Sequence, residues 1–83
     1  MSRVMSVTPR EGYELEITFS DGVKGVVSLK DRLFGPVFEP LRDPAYFARG
    51  VLDPVIGTVV WPNGADFSPE FLYSYQAKSR ASR

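Results

Sequence analysis

The run from Val59 to Glu70 constrains the fold of this chain most strongly, because it combines a strand end, a tight turn and a helix start. The apolar residues up to Trp61 are typical of a β-strand, and Asn63-Gly64 is a strong turn signal. Ser68 followed by Pro69 is typical of a helix N-cap with proline at the first helical position. We therefore predict a strand, a turn and then a helix that begins at Pro69.

The helix after Ser68 is amphipathic. Its spacing places Phe71, Leu72 and Tyr75 on the inward face. Phe67, just ahead of the cap, has the spacing of a hydrophobic staple with Leu72. We expect the helix to fray from Ser79 onward.

Residues 13–29 have the pattern of a β-hairpin. A two-residue turn at Asp21-Gly22 would pair Leu15 with Ser28 and mix apolar with polar residues on one face. A three-residue loop instead pairs Leu15 with Val27, which keeps one face apolar. We therefore predict the three-residue loop, with its glycine in the left-handed backbone region.

Shorter elements are expected on both sides of this hairpin. Val4 to Val7 should form a strand that ends in a turn at Pro9 to Gly12. Residues 51–52 and 58–61 should form two strands that extend the same sheet. These patterns predict a sheet of several short antiparallel strands.

The middle of the chain contains a proline at every fourth position from Pro36 to Pro44. Gly35 and Glu39 each precede a proline, which favours extended backbone at both positions. Asp43-Pro44 predicts a capped short helix that ends by Gly50, with Phe47 pointing inward. The chain should therefore have no long helix in this region.

Eighty-three residues are enough for one domain only. The elements together predict an α+β fold, in which a small antiparallel sheet packs against a C-terminal helix and short helical turns. We expect residues 1–77 to form this domain and residues 78–83 to form a frayed basic tail.

Charge and composition argue against several partners. The chain has ten basic and ten acidic residues, but residues 1–77 contain seven basic and ten acidic ones, a net charge of −3. Nucleic-acid binding requires clustered Lys and Arg, so direct binding is not expected. Cysteine is absent, which fits a reducing cytoplasm, and no apolar run is long enough to span a membrane. We expect a cytoplasmic protein.

The sequence offers few catalytic groups. Histidine and cysteine are both absent, which excludes imidazole acid–base chemistry, Ser-His-Asp triads, cysteine nucleophiles and thiolate or imidazole metal sites. Asp66 and Glu70 could share a divalent cation, but two carboxylates make an incomplete shell. Turn formation by Asp66 and a favourable helix-end position for Glu70 explain them better. We expect no enzyme activity, no cofactor and no metal.

Trp61 is the only tryptophan, and core packing is its default role. Its ring could instead act as a ligand platform or as an anchor for a partner, and Tyr73 and Tyr46 share this ambiguity. The candidate interaction or ligand surface consists of Trp61, Asn63, Asp66 and Tyr73.

Several runs occur in a characteristic order along the chain. They are Val7-Thr8-Pro9, Tyr13-Glu14-Leu15, Phe19-Ser20-Asp21-Gly22, Gly35-Pro36-Val37-Phe38-Glu39-Pro40-Leu41, Asp43-Pro44, Phe47, Val60-Trp61-Pro62-Asn63-Gly64-Ala65-Asp66 and Leu72-Tyr73. In this order they resemble the bacterial family known as domain of unknown function 2442 (DUF2442), over nearly the whole chain.

This resemblance implies a small prokaryotic α+β protein without established catalytic residues. Some relatives carry a helix-turn-helix domain after this module, and others are encoded beside a second small protein in toxin–antitoxin-like pairs. Because this chain stops at Arg83, we expect it to lack that DNA-binding domain.

The leading hypothesis is a non-enzymatic protein-interaction or regulatory module, one member of a toxin–antitoxin-like gene pair. Its partner would be the neighbouring gene product, or a second copy of the chain by self-association. The alternative is a small-ligand sensor that uses the turn from Trp61 to Asp66. A closed apolar pocket beside Trp61 would favour the sensor, whereas an exposed aromatic patch or an open strand edge would favour a protein partner.

The hairpin register can be tested by two substitutions in its loop. Gly22→Val should lower the melting temperature more than Asp21→Ala, because a β-branched residue is strained at positive φ. Thermal unfolding followed by circular dichroism measures both variants. Equal melting temperatures would contradict the three-residue loop.

Overall fold

The N-terminal third of the chain forms a three-stranded antiparallel sheet in the computed structural model, which describes the backbone of residues 3–81 and the side chains of residues 3–76. Its strands are β1 (Val4–Arg10), β2 (Glu14–Phe19) and β3 (Lys24–Ser28), in the order β1-β2-β3. The sheet buries one face and leaves the other, polar face to solvent.

The predicted register of the β2–β3 hairpin is confirmed. Leu15 pairs with Val27, and the Phe19 amide donates to the Val23 carbonyl at 2.8 Å. Gly22 has a φ of 89°, the left-handed conformation that the three-residue loop requires. Asp21 Oδ1 accepts a hydrogen bond from the Val23 amide at 3.0 Å, so this aspartate also stabilises the loop.

The turn between β1 and β2 lies later than predicted. Pro9 is part of β1, where it pairs with Leu15, and the turn occupies residues 11–13. A proline is tolerated on an edge strand when its missing N–H faces away from the ladder. Gly12 and Tyr13 both have positive φ values, 81° and 63°, and make the tight reversal.

The middle segment differs from the prediction before its helix. Gly35 has a φ of 89° and its carbonyl accepts from the Phe38 and Glu39 amides, at 3.1 and 2.9 Å. Glu39 begins a 3-10 turn, Glu39–Arg42, so neither Gly35 nor Glu39 is extended as predicted. The positive φ at Gly35 reverses the direction of the chain. The two hydrogen bonds that the Gly35 carbonyl accepts outweigh the preference for extended backbone before a proline.

The short helix α1 (Pro44–Phe47) is confirmed as predicted. Asp43 Oδ1 accepts a hydrogen bond from the Ala45 amide at 3.1 Å, which makes Asp43 the N-cap. Phe47 is buried, as expected. The Tyr13 hydroxyl donates to the Arg42 carbonyl at 2.5 Å, which ties this segment to the β1–β2 turn.

The predicted pair β4 (Val51–Asp53) and β5 (Thr58–Val60) is present but does not extend the first sheet. The two strands form a separate two-stranded sheet that packs beside β1. The Val4 amide donates to the Gly57 carbonyl at 3.0 Å, where the two sheets meet. An irregularity in β1 between Val4 and Ser6, together with Pro9, prevents a continuous ladder along that edge.

The C-terminal helix α2 (Pro69–Ala81) begins where predicted, because Ser68 Oγ accepts from the Phe71 amide at 3.0 Å. Its backbone is helical as far as Ala81. This is beyond Ala77, the predicted end of the domain, and beyond Ser79, where fraying was expected to begin. Residues 82–83 lie outside the described residues, so the frayed tail stays a prediction.

The inward face of α2 differs in part from the predicted stripe. Leu72 is fully buried, whereas Phe71 and Tyr75 are only half-buried. Gln76 is 2% exposed and takes the second inward position. An ideal Cβ on Gly25 would collide with Gln76 Cγ, so the lack of a side chain at Gly25 makes room for this glutamine.

One hydrophobic core lies between the first sheet and the segments that follow β3 in the chain. Its buried members are Val4, Leu15, Ile17, Phe19, Val27, Leu29, Leu33, Leu41, Phe47, Val59, Trp61, Ala65 and Leu72. The predicted α+β class is therefore confirmed. Within residues 3–81, the helices are too short or too polar to cross a membrane.

The contact between Gly50 and Trp61 gives a test of core packing. A Cβ at Gly50 would lie 2.8 Å from Trp61 Cε2, and the buried indole has little room to move. We expect Gly50→Ala to lower the free energy of unfolding by about 1–3 kcal/mol, the usual range for overpacking. Urea unfolding measures this, with Val51→Ala at the neighbouring exposed position as the control; no loss for Gly50→Ala would contradict the packing.

Candidate functional site

Trp61 lies in the core and not at the surface. It is 3% exposed, and its Nε1 donates a hydrogen bond to the Phe47 carbonyl at 2.9 Å. The indole also contacts the rings of Phe47 and Phe67, with centroid distances of 5.7 and 6.1 Å. The core-packing prediction is confirmed, so the indole offers no surface to a ligand or partner.

The turn that follows Trp61 is held by hydrogen bonds. The Gly64 amide donates to the Trp61 carbonyl, and the Trp61 amide donates to the Ala65 carbonyl, both at 2.9 Å. Asn63 Oδ1 accepts from the Ala65 amide at 3.0 Å, while Asn63 Nδ2 donates to the Val37 carbonyl at 2.9 Å. Asn63 therefore joins this turn to the loop around Val37.

The two carboxylates near the start of α2 are both exposed. The Asp66 backbone forms an isolated bridge with Val60, and Glu70 lies in the first turn of α2, where the helix dipole favours negative charge. Among the described residues, no three acidic side chains come together in a group that could hold a metal ion.

Tyr73 makes its contacts at the hairpin loop. Its hydroxyl donates to Asp21 Oδ2 at 2.6 Å, and its ring meets Phe19 edge-on at 4.8 Å. These contacts differ from those of Trp61 and Asn63. Tyr73 therefore braces α2 against the hairpin, and its membership of one surface with the Trp61–Asp66 turn stays a prediction.

A different group of aromatic rings forms a continuous stack at the surface. Phe38 stacks on Phe67 at 4.9 Å, Phe67 on Phe71 at 5.5 Å, and Phe71 on Tyr75 at 5.3 Å. All four rings are half-buried. We call this group the aromatic ladder. The ladder was not predicted from the sequence, although Phe71 and Tyr75 are four residues apart on α2 and Phe67 lies four residues before Phe71, which is a readable signal.

Arg32 lies over one end of the aromatic ladder. Its guanidinium carbon is 5.5 Å from the Phe71 centroid and 5.2 Å from the Tyr75 centroid, within the range of cation–π attraction. The ion pair among the described side chains is Arg10–Glu16, so Arg32 has no carboxylate partner there. Arg32 therefore keeps its charge available at the surface.

The loop between Arg32 and Phe38 adds exposed apolar side chains. Phe34 is 64% exposed and Val37 is 50% exposed. Both lie in the segment that leads from Arg32 to Phe38, the first ring of the ladder. We call the ladder together with Arg32, Phe34 and Val37 the aromatic surface.

A cleft of about 230 Å³ lies elsewhere, between the β1–β2 turn and α1. It is lined by Pro9, Arg10, Glu11, Gly12, Tyr13, Pro44, Phe47 and Ala48. Pockets for small molecules usually span roughly 300–1,000 Å³. The cleft is smaller than that range, and Trp61 does not line it.

The hydrogen bonds of Asn63 predict a difference between two residues of the turn. Asn63→Ala should lower the free energy of unfolding by about 1 kcal/mol or more, because it removes two hydrogen bonds. Asp66→Ala should change it by less than about 0.5 kcal/mol, since the exposed carboxylate makes no described side-chain bond. Urea unfolding gives both values, and hydrogen exchange should quicken around Val37 in the Asn63 variant alone. Equal effects would contradict the bracing role.

No curated protein matches this chain. The crystal structure of "Putative DNA Binding Protein NE0471" from Nitrosomonas europaea ATCC 19718 is similar, with a TM-score of 0.86 and 26% sequence identity. The match covers 98% of this chain and 52% of that one, so this chain spans about half the length of that protein.

The same similarity supports the α+β fold described above. The family resemblance in the sequence is confirmed as well. The model of the family described as "Protein of unknown function (DUF2442)" matches residues 4–77, and the chain belongs to this family.

Proposed function

We propose that this chain is a non-enzymatic protein-interaction module that binds a small protein partner through its aromatic surface. The observation that carries the proposal is the stack of four half-exposed rings, with Arg32, which has no carboxylate partner among the described side chains, over one end and exposed Phe34 two residues further along the chain. Aromatic and arginine side chains are enriched where protein interfaces concentrate their binding energy.

The aromatic surface is also held in place before any partner arrives. Phe67 packs against buried Trp61, and Phe71 lies in the capped first turns of α2. Asn63 anchors the Val37 carbonyl and thereby the loop that carries Phe38. A rigid surface loses less conformational entropy on binding, which supports a recognition role.

The partner we propose is the product of a neighbouring gene, in a toxin–antitoxin-like pair. The absence of histidine and cysteine from the sequence supports a binding role over a catalytic one. The family resemblance supports the paired-gene arrangement.

Charge favours a protein partner over DNA, despite the name of the structural neighbour. Residues 1–77 carry a net charge of −3, from seven basic and ten acidic residues. Among the described side chains, the aromatic surface contains one cation, Arg32, whereas binding to phosphate backbones depends on several clustered cations. A small-ligand sensor that uses the Trp61–Asp66 turn has less support, because this turn lines neither the cleft of about 230 Å³ nor a more open groove of about 360 Å³ along the first sheet.

The test is affinity purification of the tagged chain from its native host, with the neighbouring gene product followed by mass spectrometry. Phe34→Ser should reduce recovery of the partner about tenfold or more, as expected for the loss of a large aromatic contact. Trp61 is unsuitable for this test because its substitution would disturb the core.

The matched control is Val55→Ser, which makes the same kind of apolar-to-polar change at a residue that is 84% exposed in the β4–β5 turn. Circular dichroism should show both variants folded. Undiminished recovery with Phe34→Ser, or an equal loss with Val55→Ser, would overturn the assignment of the aromatic surface.

A further inference from the structure

The turn at Asn63-Gly64 contains a chemically labile amide. Asparagine is prone to lose its side-chain amide, and a following glycine favours this loss because it has no Cβ to hinder attack by its backbone nitrogen. Both residues are exposed, and an ideal Cβ on Gly64 would meet no other atom within 4 Å. Asn63 is also the only asparagine in the sequence. Water and hydroxide can therefore reach the one Asn-Gly site of the chain.

Deamidation at this site needs only hydroxide and water. Hydroxide removes the proton of the Gly64 amide, and the nitrogen then attacks Cγ of Asn63. The new bond closes a succinimide ring, while the Cγ–Nδ2 bond breaks and Nδ2 leaves as ammonia with a proton from water, which restores the hydroxide. A water molecule then opens the ring. Opening at Cγ gives aspartate, and opening at the backbone carbonyl carbon of residue 63 gives isoaspartate.

The folded turn opposes this reaction. The Gly64 amide donates to the Trp61 carbonyl at 2.9 Å, so hydroxide cannot take its proton while this bond is intact. Asn63 Nδ2, the group that must leave, donates to the Val37 carbonyl at 2.9 Å. Two native hydrogen bonds must therefore break for the reaction to occur. The reaction is confined to molecules in which the turn has opened locally.

The aspartate product cannot hold the loop that the Asn63 amide holds. A carboxylate has no N–H group, so an oxygen takes the place of Nδ2 beside the Val37 carbonyl. Two acceptors in contact repel each other, and the Val37 carbonyl loses its donor. The other carboxylate oxygen can still accept from the Ala65 amide, as Asn63 Oδ1 does at 3.0 Å. The tie to the neighbouring loop is lost, while the turn keeps one side-chain bond.

The isoaspartate product disturbs the turn itself. Its backbone runs through the former side-chain carbons and gains one methylene group between residues 63 and 64. Trp61 and Ala65 are both buried, and the Trp61 amide donates to the Ala65 carbonyl at 2.9 Å across this turn. A longer backbone between them does not fit the same two buried positions, so this product also weakens the bond between Trp61 and Ala65.

We propose that Asn63 is a site of spontaneous deamidation, gated by opening of the turn, and that the reaction releases the loop that carries Phe38 from the rest of the aromatic surface. Phe38 reaches the ladder through its stack on Phe67 at 4.9 Å, and the neighbouring Val37 carbonyl is the tether of its loop. The loss is irreversible, since aspartate does not regain the amide. The proposal concerns the structure of this surface, whatever partner binds there.

The first test measures the rate of deamidation by mass spectrometry in mildly alkaline buffer. It compares the folded chain, the chain unfolded in guanidinium chloride and the blocked peptide of residues 61–66. Fragment spectra should localise a gain of one dalton to Asn63. The folded chain should react about tenfold or more slowly than the peptide, as expected when two hydrogen bonds must break, and the unfolded chain should match the peptide.

Asn63→Ser supplies the control for this assay, because it has no amide at position 63 and should gain no mass there. Equal rates for the folded chain and the peptide would overturn the gating by the turn. An unfolded chain that gained no mass at Asn63 would overturn the assignment of the site.

The second test uses Asn63→Asp as the pure aspartate product. Nuclear Overhauser contacts between the rings of Phe38 and Phe67 should be lost in this variant, whereas those between Phe71 and Tyr75, which stack at 5.3 Å within α2, should remain.

Asp66→Asn is the matched control, because it makes the reverse exchange of functional group at an exposed position of the same turn and should keep both ring contacts. Retention of the Phe38–Phe67 contact in Asn63→Asp would overturn the release of the loop, and so would the same loss in Asp66→Asn. Both tests are made without a partner, so their failure would leave the capture experiment with Phe34→Ser, and the proposed function, unaffected.

Discussion

The packing of Trp61 is the constraint on which the part of the chain after β3, residues 29–76, depends. One hydrogen bond, from Nε1 to the Phe47 carbonyl, joins the end of β5 to the end of α1. The indole also fills the space above Gly50 and supports Phe67. This part of the chain has little regular secondary structure between β3 and α2. A large side chain with one satisfied polar group therefore holds α1, β5 and the following turn together. The tryptophan acts on the surface indirectly, through Phe67.

The aromatic surface therefore depends on contacts that lie beneath or beside it. The Ser68 cap sets where α2 begins, and that start sets the positions of Phe71 and Tyr75 on one flank of the helix. The Asn63 amide holds the loop that carries Phe38. In physical terms, Trp61 and Asn63 form a frame for the rings, and the rings that they position are partly open to solvent.

Sequence reasoning predicted the features that depend on neighbours along the chain. The hairpin register followed from alternation and loop length, and the caps at Asp43 and Ser68 followed from local hydrogen-bond chemistry. Pro9 was misplaced because tolerance of proline depends on which side of the strand faces solvent. Gln76 was missed because its buried position depends on a glycine in a distant strand. The aromatic surface was only partly readable, since Phe38 joins the helical rings through tertiary folding.

The position of β3 at the edge of the first sheet has a consequence for the behaviour of the chain at high concentration. An open strand edge is a template for uncontrolled pairing, from dimers to fibrils. β3 is only five residues long and begins with exposed Lys24, and short edge strands that carry lysine disfavour such pairing. The lysine thus opposes edge-to-edge aggregation of whole domains.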